Sequence, residues 1–179
     1  MKKALLLVAG FMCAMAAWAT DYTGQLTVTV NGEAHQMSTK INLVEEGGKY
    51  NFSLKNFILD LGDGFTMGVG NIELEGLDAV EAYGIKTITV DQDIMITEGD
   101  DPNIDQWIGP NISPVPIVLT ARFNKQVLSV DIDIDMSSTL QQIIKVNFVG
   151  NTPAGDVNGD GKINVSDVTN LINIILGVI

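Results

Sequence analysis

The chain has 179 residues and a formal net charge of −12, from 22 acidic and 10 basic residues. This acidic excess opposes contact with nucleic acid or with anionic lipid, because phosphate groups are bound through Lys and Arg. The single cysteine, Cys13, and the single histidine, His35, exclude internal disulfides and thiolate zinc sites. A Ser-His-Asp triad would have to use His35, which we interpret as a half-exposed strand residue.

The first 19 residues have the features of an export signal. Lys2 and Lys3 give a positive start, residues 4–16 are apolar, and a small-residue cleavage motif ends at Ala19. We predict cleavage after Ala19, which removes Cys13 and with it any thiol chemistry. A lipoprotein anchor at Cys13 is the rival interpretation, and the residues before it do not favour it. The mature protein is then expected in the periplasm or outside the cell.

From residue 20 to residue 149 apolar and polar residues alternate, which is typical of strands with one buried face. Turn signals such as Asn31-Gly32 separate the alternating runs. The predicted strands are residues 26–30, 40–43, 50–54, 57–61, 69–74, 85–96, 115–123, 127–136 and 143–148. We therefore predict a mainly β domain over residues 20–149, an antiparallel meander closed into a barrel.

One long loop, residues 99–114, interrupts the strand pattern. We predict a single helical turn at residues 103–107 within it. An aromatic residue in such a loop often covers one end of a compact β domain. We expect Trp107 to cap the core, and a movable lid is the alternative.

A short linker, residues 150–155, leads to a twelve-residue segment, residues 156–167, in which oxygen-bearing side chains alternate. Calcium takes about six to eight oxygen ligands, and a loop of this length wraps around the ion when its sixth residue, here Gly161, permits a sharp bend. The predicted ligands of calcium (Ca2+) are the backbone carbonyl of Lys162 and the side chains of Asp156, Asn158, Asp160, Asn164 and Asp167.

The residues after the loop, in the segment 156–179, predict one amphipathic helix. Its apolar stripe comprises Val168, Leu171, Ile172, Ile175 and Ile179. The helix is too short to span a bilayer. The stripe must therefore rest on the barrel, on a partner protein or on a second copy of the chain.

Residues 156–173 resemble one repeat of the dockerin type I family, because Asp167 rather than a glutamate closes the loop and no helix precedes it. The resemblance implies calcium binding and docking on a cohesin-like protein. The predicted partner-binding residues are Val165, Ser166, Leu171, Ile172 and Ile175. Dockerins usually carry two repeats and this chain has one, so the site is alternatively a calcium staple that fastens the tail.

A second resemblance rests on several stretches of the β domain. They are Asp21-Tyr22-Thr23-Gly24 leading into Leu26-Thr27-Val28, Leu54-Lys55-Asn56-Phe57, Val69-Gly70-Asn71-Ile72, Trp107-Ile108-Gly109-Pro110, Val115-Pro116-Ile117-Val118 and the strand 131–136. Together they resemble the calycin-like β-barrel domain of exported proteins from gut-type anaerobic bacteria. The resemblance implies a lipocalin-like cup that could hold a small apolar ligand. A barrel of this size is either filled by side chains or holds one small ligand, and both alternatives stay open.

These features predict a non-enzymatic, exported binding protein with a small hydrophobic ligand in its barrel and a calcium-dependent tail. The alternative is a scaffold with a filled barrel that docks on a cohesin-like or other cell-surface partner. A hydrolase that uses paired carboxylates, such as Asp131 with Asp133 or Asp100 with Asp101, is disfavoured because these pairs lie on a solvated strand face and in a turn. The dockerin resemblance associates the chain with polysaccharide degradation, yet no residues that cut sugar are recognisable.

Overall fold

The computed structural model describes residues 18–60, 64, 66–137, 141–159 and 162–178. Most of the predicted export signal lies outside these residues, as do Asp160 and Gly161 of the predicted calcium loop. Trp18 and Ala19 belong to the first strand. Cleavage after Ala19 stays a prediction, and it would shorten that strand by two residues.

Nine strands account for most of the described chain, which confirms the predicted mainly β fold. The strands are β1 (Trp18–Val30), β2 (Glu33–Glu46), β3 (Lys49–Asp60), β4 (Thr66–Leu77), β5 (Ala79–Ala82), β6 (Ile85–Ile94), β7 (Val115–Phe123), β8 (Val127–Met136) and β9 (Gln142–Asn151). The described helices are α1 (Gly109–Ile112) and α2 (Val165–Ile175).

All nine strands form one antiparallel sheet in the order β4-β3-β2-β1-β9-β8-β7-β6-β5. β1 pairs with both β2 and β9, and the β1–β9 ladder runs from Thr23 opposite Asn151 to Val30 opposite Ile144. The other hydrogen-bonded pairs join strands that are consecutive in the sequence. The sheet therefore curls until its first and ninth strands are neighbours, as the predicted barrel requires.

The curled sheet meets itself at a seam between β4 and the chain that follows β6. Two single bridges replace a continuous ladder there. Asn71 exchanges backbone hydrogen bonds of 2.8 and 3.1 Å with Thr97, and the Gly68 carbonyl accepts one of 2.8 Å from Ile108. A Cβ atom on Gly70 would lie 2.2 Å from the Thr97 carbonyl oxygen, so only glycine permits this approach.

β3 differs from the prediction, which placed separate strands at residues 50–54 and 57–61. It continues through both segments. A bulge at Asn56, whose φ is 51°, shifts the register with β4 and does not end the strand. The backbone N–H of Asn56 donates to the side chain of Asn71 on β4 (2.8 Å), which holds the bulge. A bulge shifts the alternation of side chains, and in the sequence this resembles the end of a strand.

The loop between β6 and β7 contains α1 rather than the helical turn predicted at residues 103–107. Pro110 lies in the first turn of α1, where a missing N–H costs no hydrogen bond, and this favours a helix that begins at Gly109. Trp107 is half-buried, and its ring packs against Gly68 and Gly99 beside the seam. Trp107 therefore covers the seam between β4 and the loop, and its role as a cap of the core stays a prediction.

Alternation places one apolar cluster inside the curled sheet. In β8, Val130, Ile132 and Met136 are buried while the three aspartates between and beside them are exposed, as predicted. The largest fully buried side chains are Phe52, Phe148, Leu26, Ile41, Leu54, Ile88, Leu119 and Leu128. The cluster occupies the interior, which favours the filled barrel of the two alternatives that the sequence left open.

Candidate functional site

The tail that follows β9 rests against one end of the barrel. The N–H of Thr152 donates to the carbonyl of Gln126 in the β7–β8 turn (3.0 Å), and the hydroxyl of Thr20 in β1 donates to the carbonyl of Gly159 (3.3 Å). Gly159 also lies against Lys125, since a Cβ atom on Gly159 would be 2.9 Å from the Cβ of Lys125. The predicted calcium loop is therefore bonded to the rim formed by β1 and the β7–β8 turn.

Asp167 joins the loop to α2. Its side chain is only 3 % exposed, and it accepts backbone N–H groups from Val157 (2.9 Å), Asn158 (3.3 Å) and Asn164 (2.7 Å). These bonds, led by that from Asn164, hold the pKa of the Asp167 carboxyl below its usual range. The side chain of Asn164 in turn accepts the N–H of Ser166 (2.8 Å), so the two residues form a capping box that begins α2.

Asp156 is the second buried carboxylate of the loop. It is 5 % exposed, and one of its oxygens accepts an N–H from Gly159 (2.8 Å). Among the described residues, Asp156 and Asp167 are the only buried polar or charged side chains, and both belong to the predicted ligand set. Burial of a carboxylate is costly unless hydrogen bonds or a cation compensate it. Backbone N–H groups compensate this cost for both carboxylates in this structure, and carboxylate oxygens are ligands that calcium takes.

The other predicted ligands differ in exposure. Asn158 is half-buried, whereas Lys162 and Asn164 are exposed, and the Asn164 oxygen caps the helix. The described residues do not include Asp160. Among them, no group of three His, Cys, Asp or Glu side chains is placed to hold a metal ion. The ligand set stays a prediction.

The described residues of the apolar stripe, Val168, Leu171, Ile172 and Ile175, are exposed and do not pack on the barrel, while Ile179 lies outside the described residues. The predicted partner-binding residues Val165, Leu171, Ile172 and Ile175 are 79, 46, 49 and 74 % exposed. Ser166 is exposed as well, while Asn170 and Asn173 are half-buried. Of the three supports expected for the stripe, the barrel does not provide one for the described residues of the helix.

A cleft of about 720 Å³ lies between the same end of the barrel and the predicted calcium loop. The loop forms one wall through residues 157–159. The facing wall belongs to the barrel and includes Glu45, Glu81 and Lys86. Trp18 also lines the cleft, and the predicted cleavage would remove it.

Aromatic rings form the floor of this cleft. Tyr50 and Phe123 meet edge to face with ring centroids 5.1 Å apart. Beside them the hydroxyl of Tyr22 donates to the carbonyl of Asn124 (2.6 Å), and burial raises the pKa of Tyr22 to about 12. All three rings belong to the buried core, so the floor is continuous with the rigid interior.

Glu45, Tyr50 and Lys86 form one hydrogen-bonded network in the cleft. The Lys86 ammonium donates to the phenolic oxygen of Tyr50 and to the carboxylate of Glu45 (3.2 Å). This nitrogen is 5.1 Å from the Tyr50 ring centroid. Its bond to the phenolic oxygen places it near the ring edge, so we attribute the contact to hydrogen bonding rather than to cation–π attraction.

The same network sets the pKa values of its members. The hydrogen bond with Tyr50 is the main cause that raises the pKa of Lys86. Burial raises the pKa of Tyr50. Burial also acts to raise the pKa of Glu45, but hydrogen bonds with Tyr50 and Lys86 and the charge of Lys86 together outweigh it, and the net result is a lowered pKa. At neutral pH the cleft therefore holds a carboxylate beside an ammonium.

Two models of protein families match this chain. The model of the calycin-like beta-barrel domain matches residues 18–151. The chain belongs to the calycin-like β-barrel family. The model of the dockerin type I domain matches residues 150–178, so the calycin-like domain is followed by a dockerin type I domain. Both resemblances inferred from the sequence are confirmed.

A solved structure with a similar fold is that of a protein provisionally described as an outer membrane protein of Bacteroides fragilis, at 14 % identity and a TM-score of 0.50. The similarity covers 77 % of this chain and 50 % of the other, so the calycin-like chain spans about half the length of that protein. At this identity the likeness supports the fold alone. A search of curated proteins gave no significant match. No helix within the described ranges is both long and apolar enough to cross a membrane.

Calycin-like and dockerin domains are generally non-catalytic, and of the two acidic pairs considered for catalysis, Asp131 with Asp133 lies on the exposed face of β8 and Asp100 is hydrogen-bonded to Asn56 in the loop before β7. Asp131 contacts Arg122 (3.5 Å) and Asp133 contacts Lys145 (3.3 Å), all with exposed side chains. His35 is a half-exposed residue of β2, as predicted. These side chains are arranged as a solvated surface with ion pairs across neighbouring strands.

The cleft was not foreseen from the sequence. Glu45 and Tyr50 flank the turn between β2 and β3, and Lys86 is the second residue of β6, near the other edge of the sheet. No local motif marks any of the three. Only the curling of the sheet brings them together, whereas the ligands of the calcium loop are close in sequence and therefore visible there.

Proposed function

We propose that this protein is an exported, non-enzymatic attachment protein whose dockerin helix docks on a cohesin-type partner in a calcium-dependent way. The observation that carries the proposal is the exposed apolar stripe of α2, on a helix whose first turn is fixed by the buried Asp167. Contiguous apolar surface on a soluble protein usually marks a contact with another protein. The calycin-like barrel is then the body that the helix attaches.

Burial of the stripe would drive docking. Removal of a large apolar side chain from water contributes roughly 1.5–3 kcal/mol when burial is complete. Leu171 and Ile172 are about half exposed and Ile175 more so, which leaves substantial apolar area for a partner to cover. The capping box holds the start of the helix in place, and this lowers the entropy cost of binding.

The dockerin loop supplies the oxygen donors that calcium requires. The residues that would hold the ion are Asp156, Asn158, Asp160, Asn164, Asp167 and, through its carbonyl, Lys162. When bound, calcium neutralises the carboxylates of such a loop and links folding of the loop to metal concentration. The chain itself fixes the geometry through Asp167, which accepts N–H groups from both ends of the loop.

Export to the periplasm or the cell surface fits this function. The positive start, apolar stretch and small-residue motif of residues 1–19 support an export signal. A protein of similar fold is provisionally described as an outer membrane protein. A dockerin-mediated attachment also needs a partner in the same compartment, and cohesin-type partners would be met outside the cytoplasm.

Docking is tested by calorimetric titration of the mature chain, residues 20–179, with recombinant type I cohesin modules in calcium buffer. We expect binding that Ile172→Asp weakens by about tenfold or more, because the new charge must be desolvated within an apolar contact. Ile143→Asp is the matched control, since Ile143 is 57 % exposed on β9 of the barrel. The proposal is wrong if no cohesin binds, or if both variants weaken binding equally.

A calcium staple is the second candidate, because the loop is bonded to the barrel. The hydroxyl of Thr20 donates to the carbonyl of Gly159, and the carbonyl of Gln126 accepts from the N–H of Thr152. Lys125 packs on Gly159. In this case the loop fastens the tail to the rim and needs no partner. In the docking function calcium stabilises the helix surface that binds a partner. In the staple function calcium stabilises the barrel.

A further inference from the structure

We propose that the cleft between the barrel and the calcium loop binds a small neutral molecule that carries several hydroxyl groups. The cleft is separate from the stripe of α2, so this site lies beyond the attachment function. It also differs in place and in chemistry from the apolar ligand that the sequence led us to expect inside the barrel, where apolar side chains occupy the interior.

The cleft has the dimensions of a ligand site. With Trp18 in place its volume is about 720 Å³, within the range of roughly 300–1,000 Å³ that is usual for small-molecule pockets, and cleavage after Ala19 would remove the part of the wall that Trp18 forms. The floor is rigid because Tyr22, Tyr50 and Phe123 are all buried members of the core. The walls come from two parts of the chain, the barrel and residues 157–159 of the loop.

The polar groups of the cleft can donate and accept hydrogen bonds side by side. An ammonium group has three N–H donors, and two of those of Lys86 are directed at Tyr50 and Glu45. A carboxylate accepts several hydrogen bonds, and the side chains of Lys86 and Glu45 remain 33 and 38 % exposed. Two neighbouring hydroxyls of one molecule can therefore accept from Lys86 and donate to Glu45 together.

The lining offers no net charge that would attract an ionic ligand. Lys86 and Lys125 match Glu45 and Glu81 in number, so the formal charges of the lining side chains cancel. An apolar ligand would displace the water around the Glu45–Lys86 pair and offer no hydrogen bonds in its place, and this loss of solvation is costly. A neutral hydroxylated molecule replaces that water with hydrogen bonds to Glu45 and Lys86.

The test is an NMR titration of the mature chain, residues 20–179, with glucose, galactose, mannose and maltose as neutral probes. Glucuronate, glucosamine and octanol serve as anionic, cationic and apolar comparisons. We expect at least one neutral sugar to shift resonances of the cleft. Lys86→Met and Glu45→Gln should each weaken its binding by about tenfold or more, because each removes a hydrogen bond to a charged group.

Lys55→Met is the matched control, since Lys55 contacts Glu73 at 3.5 Å on an exposed face away from the cleft. Thermal unfolding of each variant shows whether it is folded, and Glu45→Gln preserves side-chain size while it removes the charge. The proposal is overturned if no neutral sugar shifts cleft resonances, or if an ionic or apolar probe binds more tightly. Equal weakening by Lys86→Met and Lys55→Met would overturn it as well.

Discussion

Lys86 connects Glu45 and Tyr50, and through them it makes the stability of the barrel end depend on pH. The pKa of Glu45 is lowered from its ordinary 4.5, so its stabilising contribution is present above that value and is lost as pH falls through the folded-state pKa. The pKa of Lys86 is raised above its ordinary 10.5, so its contribution is complete below 10.5 and is lost as pH rises through the folded-state pKa. Both contributions are therefore present together across the neutral range.

Glu45→Gln is expected to lower the free energy of unfolding by about 1 kcal/mol at neutral pH, a modest amount because water screens partly exposed ion pairs. Urea denaturation at neutral pH and in acid measures this difference, which should shrink as pH falls through the folded-state pKa of Glu45. Glu73→Gln, which alters the more exposed contact with Lys55, serves as control and should have the smaller effect. A loss of equal size at both pH values would refute this account of Glu45.

At the scale of secondary-structure elements, the seam depends on glycines in β4. Gly70→Ala is expected to lower the free energy of unfolding by about 2 kcal/mol or more, because its φ of 124° suits glycine and its new Cβ would overlap the Thr97 carbonyl. Gly84→Ala is the matched control: its φ of 76° is also positive, but its surroundings are open. Chemical denaturation of both variants isolates the close approach, and an equal loss would show that the seam bridges contribute little.

The strand pattern was largely predictable because alternation and turn chemistry are local. Asn31 and Gly32 both have positive φ, 53° and 88°, as their dipeptide predicts for a tight hairpin. The bulge at Asn56 and the seam at Gly70 were not predictable in the same way, since each serves a contact with a distant part of the chain. In the sequence alone Asn56 resembles the end of a strand, and nothing marks Gly70, within the predicted strand 69–74, as a contact point.

The same difference between local and long-range contacts decides which candidate sites could be predicted from the sequence. The calcium loop and the stripe of α2 were visible because their residues follow one another at fixed spacings. The exposure of the stripe could not be predicted, because a periodic pattern identifies an apolar helix face but not the surface that packs on it. The cleft needs Glu45, Tyr50 and Lys86 from three strands, and only the curled sheet assembles them.

At the scale of the whole molecule, the junction of loop and barrel decides what calcium stabilises. If the loop acts as a staple, saturating calcium should add roughly 2–3 kcal/mol to unfolding and raise the Tm by about 5–10 °C. Asp160→Ala should abolish both this shift and the heat of calcium binding, while Asp133→Ala on the outer strand face should change neither. Calorimetric titration and thermal unfolding measure the two quantities.

A third variant separates binding from fastening. Thr20→Val removes the hydroxyl that bonds the Gly159 carbonyl, and it should reduce the calcium-dependent rise in Tm while the heat of calcium binding is unchanged. Calcium binding that leaves the Tm of the wild-type barrel unmoved would eliminate the staple. The docking function of α2 would then be the remaining role for the loop.

The ladder between β1 and β9 has a consequence for how the protein is made. β1 pairs with β2 on one side, but its other partner is the last strand of the domain. During synthesis from the N-terminus, one edge of β1 therefore stays unpaired until nearly the whole domain has emerged. Unpaired strand edges attract other chains. The segment around Leu26 and Val28 is thus where a chaperone would protect the nascent protein for the longest time.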